Sequence, residues 1–182
     1  GNPFWISGAL NYAQYLTNNS LATPDWVLIH LGINDAFSYT TDATVIAAAI
    51  AAFVNLDLLI TSIKAAGAGV KVGLMIPTPP ANQDGFAAAY GTGQTAWRDK
   101  RNIMLWAQEL ITKYTGQEAS RIYLVPTNTA LDVVNGYPLA ASAAVNSRSS
   151  VMVQRQNNGV HPDTGGYQQI GDCLWAFLKC NA

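Results

Sequence analysis

The chain has little charge: Asp, Glu, Lys and Arg make up 12% of its 182 residues, against about 25% in an average soluble protein. Ten basic and eleven acidic side chains leave a formal net charge of −1, and the longest basic tract is Arg98-Asp99-Lys100-Arg101. Phosphate binding needs clustered Lys and Arg, so we expect no nucleic acid partner. Neutral polar side chains are plentiful instead. They suit a sugar ligand or a larger assembly, although a bias in composition explains them equally well.

Cysteines and long apolar runs are also scarce. The two cysteines, Cys173 and Cys180, lie in one predicted helix, where seven residues separate Cα atoms by about 10 Å, too far for a disulfide. Pairing would need the helix to end before Cys180, so the redox compartment stays open. No run of 18 apolar residues occurs. The nearest, residues 44–60, contains Asn55 and Asp57 and predicts a buried helix, so we expect no membrane span.

Short apolar runs alternate with helical patterns along the chain. The predicted strands and helices are, in order, 25–31, 41–66, 70–76, 95–114, 121–125 and 163–178. Thr41 or Asp42 is expected to cap the first of these helices, and Gly67 to follow it in the C′ position. The alternation predicts an α/β fold with a parallel sheet and helices on both faces, formed by residues 1–182 as one domain.

The segments between these elements have weaker patterns. Residues 1–24 predict loop and short helix, 85–93 a flexible connection, and 127–157 a long loop rich in Ser, Asn and Ala. In open α/β sheets, ligands bind beyond the carboxyl ends of the strands. We therefore expect the pocket at the edge that carries the turns 32–35, 77–80 and 126–128.

Two residues in the first of these turns could bind a ligand. Gly32 would let the backbone approach a bound group closely, which makes it a candidate for substrate binding. The side-chain amide of Asn34 could donate a hydrogen bond to a developing oxyanion. The alternative is an ordinary turn, in which Asn34 and Asp35 bond to the local backbone.

Histidine occurs twice. His161 precedes Pro162 at the mouth of the last predicted helix, and a histidine at the ligand edge is a candidate general base, with a structural role as the alternative. His30 alternates with Leu28 and Trp26 along the first predicted strand. This pattern indicates a residue of the core or of the wall of the substrate pocket.

The blocks Gly32-Ile33-Asn34-Asp35 and Asn158-Gly159-Val160-His161-Pro162, in this order and at this separation, resemble the SGNH hydrolase superfamily of GDSL-type esterases and lipases. The similarity covers the C-terminal three quarters of such a domain. It implies a three-layer, flavodoxin-like α/β/α fold without metal or organic cofactor, and catalysis by serine acyl transfer. His161 would take the serine proton, and Asn34, with the amides of the serine and a glycine, would hold the oxyanion.

The first departure from this family concerns the residue that orients the histidine. The family has Asp three residues before the histidine, whereas this chain has Asn158. A neutral amide can hold the tautomer but stabilises an imidazolium less than a carboxylate does. We favour a dyad with Asn158 as a neutral orienter; the alternatives are a backbone carbonyl, Asp163 or Asp172.

The second departure is the nucleophile, because no Gly-Asp-Ser block follows a first strand. Gly171-Asp172-Cys173-Leu174 resembles that block but lies inside a predicted helix, and Ser7 has no predicted strand before it. We therefore expect that this chain lacks the first strand of the sheet. The strand and the serine would come from the N-terminal portion of the same protein, as a separate chain or segment, since a stable protein does not leave such a slot open.

The predicted function is thus part of a serine esterase that acts on carboxylic esters, with O-acetyl groups on carbohydrate as the expected substrate. Trp5, Tyr39, Tyr90 and Tyr137 could stack on sugar rings or could pack in the core. One alternative is a noncatalytic carbohydrate-binding or structural module that retains the fold. Another is a hydrolase of lipid or thioester substrates, which would need an extended apolar groove.

Overall fold

The computed structural model describes residues 2–82 and 95–181, so the whole of the predicted connection 85–93, with Tyr90, lies outside the described residues. The elements are, in chain order, β1 (Trp5–Ile6), β2 (Ala9–Leu10), α1 (Tyr12–Asn18), β3 (Trp26–Ile29), α2 (Asp42–Ala65), β4 (Lys71–Met75), α3 (Ala96–Tyr114), β5 (Ile122–Val125), β6 (Leu139–Ala144), β7 (Met152–Gln156) and α4 (Thr164–Cys180). Short 3₁₀ turns occupy Asn34–Ala36, Glu118–Ser120 and Thr127–Thr129.

The three predicted apolar strands form one parallel sheet in the order β3-β4-β5. Trp26 lies opposite Lys71 and Val72 opposite Ile122, so the strands are almost in register and their carboxyl ends meet at one edge. Parallel strands buried on both faces have near-continuous apolar sequences, which is why these runs were recognisable.

Helices cover both faces of the sheet. Along β4, Val72 and Leu74 belong to the large core cluster shared with α2 and α3, whereas Met75 packs with Val125 and Ile170 under α4. Side chains alternate between the faces of a strand, so neighbouring residues reach opposite layers. The fold is a three-layer α/β/α arrangement, as the sequence predicts.

The helices begin where the sequence provides capping side chains. Thr41 Oγ1 accepts from the N–H of Thr44 (3.3 Å), Thr95 Oγ1 from Arg98 (3.1 Å) and Asp163 Oδ1 from Gly166 (2.8 Å). Each cap satisfies one of the N–H groups that the first turn of a helix leaves unpaired. The predicted starts of all three helices are therefore confirmed.

Gly67 follows Ala66, the C-cap of α2, and so lies in the expected C′ position, but it lacks the left-handed conformation typical of that position. Positive φ occurs at Gly8, Gly32 and Gly116 among the described glycines, but not at Gly67. Gly67 is needed for space instead, because a Cβ there would lie 2.8 Å from Cγ2 of Thr23. Gly116, which follows α3, does take the left-handed conformation (φ 78°).

Two hairpins lie in segments for which the sequence predicts no strand, namely 1–24 and 127–157. β1 and β2 pair around the turn of Ser7 and Gly8, both with positive φ. β6 and β7 pair with each other across a bulge between Ala141 and Ala143. Much of β6 is alanine and serine, which have little strand preference, so the second hairpin depends on cross-strand pairing that sequence periodicity does not reveal.

Helix α2 is not the fully buried helix that residues 44–60 predict. One face packs on the sheet through Val45, Phe53 and Ile60. The opposite face exposes Ile50, Val54 and Leu58, each by more than half. By length and composition alone, α2 is long and apolar enough to cross a membrane. Within its most apolar stretch of 18 residues, 22% is buried.

Candidate active site

Turns at the carboxyl edge of the sheet enclose a cavity of about 250 Å³. Asn34 comes from the turn after β3 and His161 from the loop before α4, so two of the three predicted catalytic side chains line one space, whereas Asn158 is not part of its lining. The lining residues are His30, Leu31, Gly32, Ile33, Asn34, Asp35, Thr78, Val160, His161, Pro162, Tyr167 and Ile170. We call this space the polar cavity.

The turn that carries Asn34 is held from below by α3. Ala36 N–H donates to Gly32 O (3.1 Å), and the buried Asn102 amide donates to Ala36 O (2.9 Å) and Tyr39 O (2.8 Å). The Asn34 side chain is exposed and forms none of the hydrogen bonds found among the described residues. The Asn34 amide is therefore free to donate to a ligand. The alternative, in which this amide bonds to the local backbone, is not observed among the described residues.

Asn158 fixes the loop that presents His161. Its Oδ1 accepts from the N–H groups of Val160 and His161, both at 2.9 Å. This turn is typical of asparagine, whose side chain bonds the backbone a few residues later. Asn158 thus sets the position of the His161 backbone. Of the alternative orienters, Asp163 caps α4 and Asp172 is exposed on that helix.

Gly32 is required by its conformation and by its neighbour. Its φ is 106°, and a Cβ at this position would lie 2.3 Å from Nε1 of Trp106. The group that approaches Gly32 closely is therefore the Trp106 indole. Gly32 also lines the polar cavity, so its predicted contact with substrate stays a prediction.

His30 lies in the wall of the polar cavity, one of the two positions the sequence indicated. Its Nε2 is buried and has no hydrogen-bond partner among the described residues. Burial lowers the pKa of the His30 imidazole, because the charged ring loses hydration that nothing replaces. The ring is therefore neutral at pH 7, with one nitrogen available to a further group.

No serine or cysteine is among the described residues that line the polar cavity. Cys173 lies inside α4, as predicted, and burial raises the pKa of its thiol. Because α4 continues to Cys180, both thiols are free. Ser7 does follow a strand, the two-residue β1, but it sits in a hairpin turn away from the cavity lining.

Two of the aromatic residues take the core-packing role, which is one of the two roles predicted for them. Tyr137 is 1% exposed and its hydroxyl donates to Pro79 O (2.5 Å), and Tyr39 packs against the core, so both take the core-packing role. Burial also raises the pKa of the Tyr137 phenol. Tyr167 and Thr78 line the cavity instead. Sequence reasoning missed them, although each lies in a segment it had marked.

A second cavity, of about 350 Å³, lies beside β3 between α2 and the first hairpin. We call it the apolar groove. Most of its lining is apolar, and the residues are Asn2, Trp5, Leu10, Ile29, Leu31, Gly32, Asp35, Ala52, Phe53, Asn55, Leu56, Leu59, Leu74, Met75, Trp106 and Leu110. It shares Leu31, Gly32 and Asp35 with the polar cavity, so the two spaces are neighbours.

No model of a protein family matches the sequence, and no curated protein matches it. The similar solved structures include the following two. One, from Streptococcus pneumonia, is provisionally described as a platelet activating factor; it is 18% identical, has a TM-score of 0.53 and aligns over 91% of this chain and 67% of its own. The other, from Chitinophaga pinensis DSM 2588, is described as a possible lipase; it is 14% identical, has a TM-score of 0.51 and aligns over 92% and 77%. At these identities the likeness establishes the α/β/α fold alone.

Proposed function

We propose that this chain is part of a serine esterase of the SGNH type, with its active site at the polar cavity. The observation that carries the proposal is the convergence of Asn34 and His161 on one small space from opposite ends of the sequence. The similarity to a structure described as a possible lipase adds support from the fold.

In the proposed reaction, His161 acts as general base. It takes the proton of a serine hydroxyl as the serine oxygen attacks the ester carbonyl, and it then protonates the leaving alkoxide. The amide of Asn34 donates to the oxyanion that forms on the carbonyl oxygen. Such a donor is effective because it is in place before the charge develops. Asn158 keeps the His161 loop in position, and Gly32 and His30 form the wall against which the substrate lies.

The serine comes from polypeptide outside this chain, which is the N-terminal portion of the same protein as a separate chain or segment. The absence of serine and cysteine from the described cavity lining supports this. The two similar structures add support, because the present chain aligns with only 67% and 77% of their chains. The remaining 33% and 23% of those chains have no counterpart here.

An O-acetyl group on carbohydrate is the substrate that the polar cavity suits best. A volume of about 250 Å³ accepts a short acyl group, whereas drug-sized ligands occupy pockets of about 300–1,000 Å³. Tyr167, half-exposed at the cavity, offers a ring face on which a sugar could stack.

The test is hydrolysis of 4-nitrophenyl acetate by the assembled protein, with this chain and the nucleophile-bearing segment together. His161→Ala should lower kcat by at least about 10³-fold. Asn157→Ala is the matched control, because this exposed residue is four positions away and outside the cavity lining; it should retain activity. Full activity in His161→Ala would refute the role of the imidazole.

A second candidate function is a noncatalytic carbohydrate-binding or structural module with the same fold. The cavity lining without serine or cysteine also favours this candidate. Binding of an acetylated oligosaccharide by the assembled protein without release of acetate would decide for it. A preference of the assembled protein for long-acyl over acetyl esters would instead favour a lipid substrate.

A further inference from the structure

The open side of β3 carries unpaired backbone groups. Lys71 N–H donates to Asp25 O (2.9 Å), and in a parallel ladder alternate residues face the same neighbour. Val27 and Ile29 therefore point their backbone groups toward β4, whereas Trp26 and Leu28 point theirs away. β3 is the last strand of the described sheet on this side, so none of the described strands satisfies them.

None of the described residues of this edge strand blocks strand pairing. Natural edge strands are usually protected by charged residues, proline or a bulge. The strand Trp26–Ile29 contains none of these, and it pairs with β4 in unbroken register. The apolar groove lies directly beside it, walled by Ile29 of β3, Leu59 of α2 and Leu10 of the first hairpin. An added strand would direct every second side chain into this groove.

We propose that the apolar groove and the open edge of β3 bind a β-strand, parallel to β3, from the segment that supplies the nucleophile. This inference rests on the proposed function, which it extends by naming where the partner docks. The parallel direction brings the carboxyl end of the added strand to the sheet edge that holds Asn34 and His161. There it also meets His30, whose buried Nε2 awaits a partner.

Two other occupants fit less well. An acyl chain could fill the groove but would leave the N–H and C=O groups of Trp26 and Leu28 unsatisfied. A second copy related by two-fold symmetry would pair its β3 in the antiparallel direction. Its own α2 would then keep its edge strand out of the groove between α2 and the hairpin.

The test measures amide hydrogen exchange by NMR on the full chain, with and without the soluble strand peptide acetyl-Lys-Thr-Val-Ile-Val-Ile-Lys-amide. Main-chain hydrogen bonds supply the affinity in strand addition, so a generic apolar strand suffices as probe. We expect the peptide to slow exchange at Trp26 and Leu28 by at least about tenfold and to leave Val27 and Ile29 unchanged.

Two neighbouring leucines of α2 provide matched variants. Leu59 lines the groove, whereas Leu58 is exposed on the outer face of the helix. Leu59→Glu should weaken peptide binding by about tenfold or more, and Leu58→Glu by less than about twofold. If Leu59→Glu unfolds the chain, Leu10→Glu, on the opposite wall, replaces it with the same expectation. Equal effects of the groove and outer-face variants would overturn the proposal.

Further results of the hydrogen-exchange experiment would also support or overturn the proposal. No slowing at Trp26 and Leu28 would overturn the proposal, and so would equal slowing by laurate, which would make the groove an acyl site. Slowing that grows with protein concentration without peptide would assign the edge to a second copy. The His161→Ala chain should bind the peptide as the native chain does. Full ester hydrolysis by the assembled His161→Ala protein with intact peptide binding would therefore refute the proposed function and leave this docking site standing.

Discussion

The polar cavity and the apolar groove share three residues but are built in different ways. The polar cavity is assembled largely from turns, and its polar groups are the ends of side chains such as Asn34, His30 and His161. The groove is bounded by a strand edge and by helix and hairpin walls, most of them apolar. A space lined by convergent polar groups fits a small reacting molecule. A space that exposes core side chains and unpaired backbone fits a piece of polypeptide.

Under the proposed function, the larger of these two cavities is not the reaction site. Between these two cavities, volume and apolar lining would select the groove, whereas the imidazole and amide groups line the polar cavity. The two spaces also depend on each other, since Gly32 lines both. Substitutions on one side of this boundary should therefore have effects that substitutions on the other side do not.

The largest expected effect is on catalysis at the polar cavity. Asn34→Ala in the assembled protein should lower kcat for an aryl acetate by about 10²–10³-fold, because one oxyanion donor is lost. The KM should change little. Steady-state kinetics measure both, with Asn18→Ala, an exposed asparagine on α1, as control. An unchanged kcat would mean that the polar cavity is not the place where charge develops.

Substitution of Gly32, which lines both cavities, should have the largest effect on the stability of the fold. Gly32→Ala places a methyl group against the Trp106 indole at positive φ, which should destabilise the chain by about 3 kcal/mol. For a chain of this size that lowers Tm by roughly 6–12 °C. Gly69→Ala is the control, because a Cβ there meets nothing within 4 Å. Thermal unfolding followed by circular dichroism measures both, and equal shifts would contradict the role given to Gly32.

The buried His30 should couple stability to pH. Its pKa is lowered by burial, so between about pH 7.5 and 5.5 the unfolded chain gains a proton, around the ordinary value of about 6.5, more readily than the folded chain does. Stability falls as the pH falls through this range. His30→Leu should remove that loss and add about 1 kcal/mol at pH 7.5, because no unpaired nitrogen stays buried.

Urea unfolding at the two pH values measures the His30 effect. His161→Gln serves as the comparison, since the His161 side chain is exposed, and it should keep most of the pH dependence. If the dependence disappears with His161→Gln and persists in His30→Leu, the assignment to the buried ring is wrong.

The smallest effect is expected on the outer face of α2, which belongs to neither cavity. Ile50→Lys should change the free energy of unfolding by less than about 0.5 kcal/mol, because Ile50 is already 55% exposed. Urea unfolding checks this value. A loss of more than 1 kcal/mol would show that the outer face is covered in solution.

Much of the fold could be predicted because its signals are local. The apolar run that became β3 and the caps Thr41, Thr95 and Asp163 need no information from distant residues. The hairpin of β6 and β7 and the packing of Gly67 against Thr23 do need it. The outward face of α2 was mispredicted for a related reason: an apolar pattern shows which side chains can be buried, not whether another surface arrives to bury them.

The candidate site follows the same division. The proximity of Asn34 and His161 could be predicted from the sequence, because the carboxyl ends of parallel strands and the loops around them meet at one edge of the sheet. The contribution of Tyr167 depends on how α4 lies over the sheet. The bonding of Asn158 Oδ1 to the Val160 and His161 backbone depends on the loop conformation. Neither detail leaves a signal in residue spacing.

The contact between Trp106 and Gly32 makes the intrinsic fluorescence of Trp106 sensitive to this part of the protein. The Trp106 indole is 3% exposed, whereas Trp5, Trp97 and Trp175 are each more than half exposed. Its fluorescence should therefore lie at shorter wavelength and resist an aqueous quencher. Trp106 touches Gly32, which lines both the polar cavity and the apolar groove. A ligand in either space should therefore change the short-wavelength emission of Trp106. The change in quenching of this emission should then distinguish a ligand in the cavity from one in the groove.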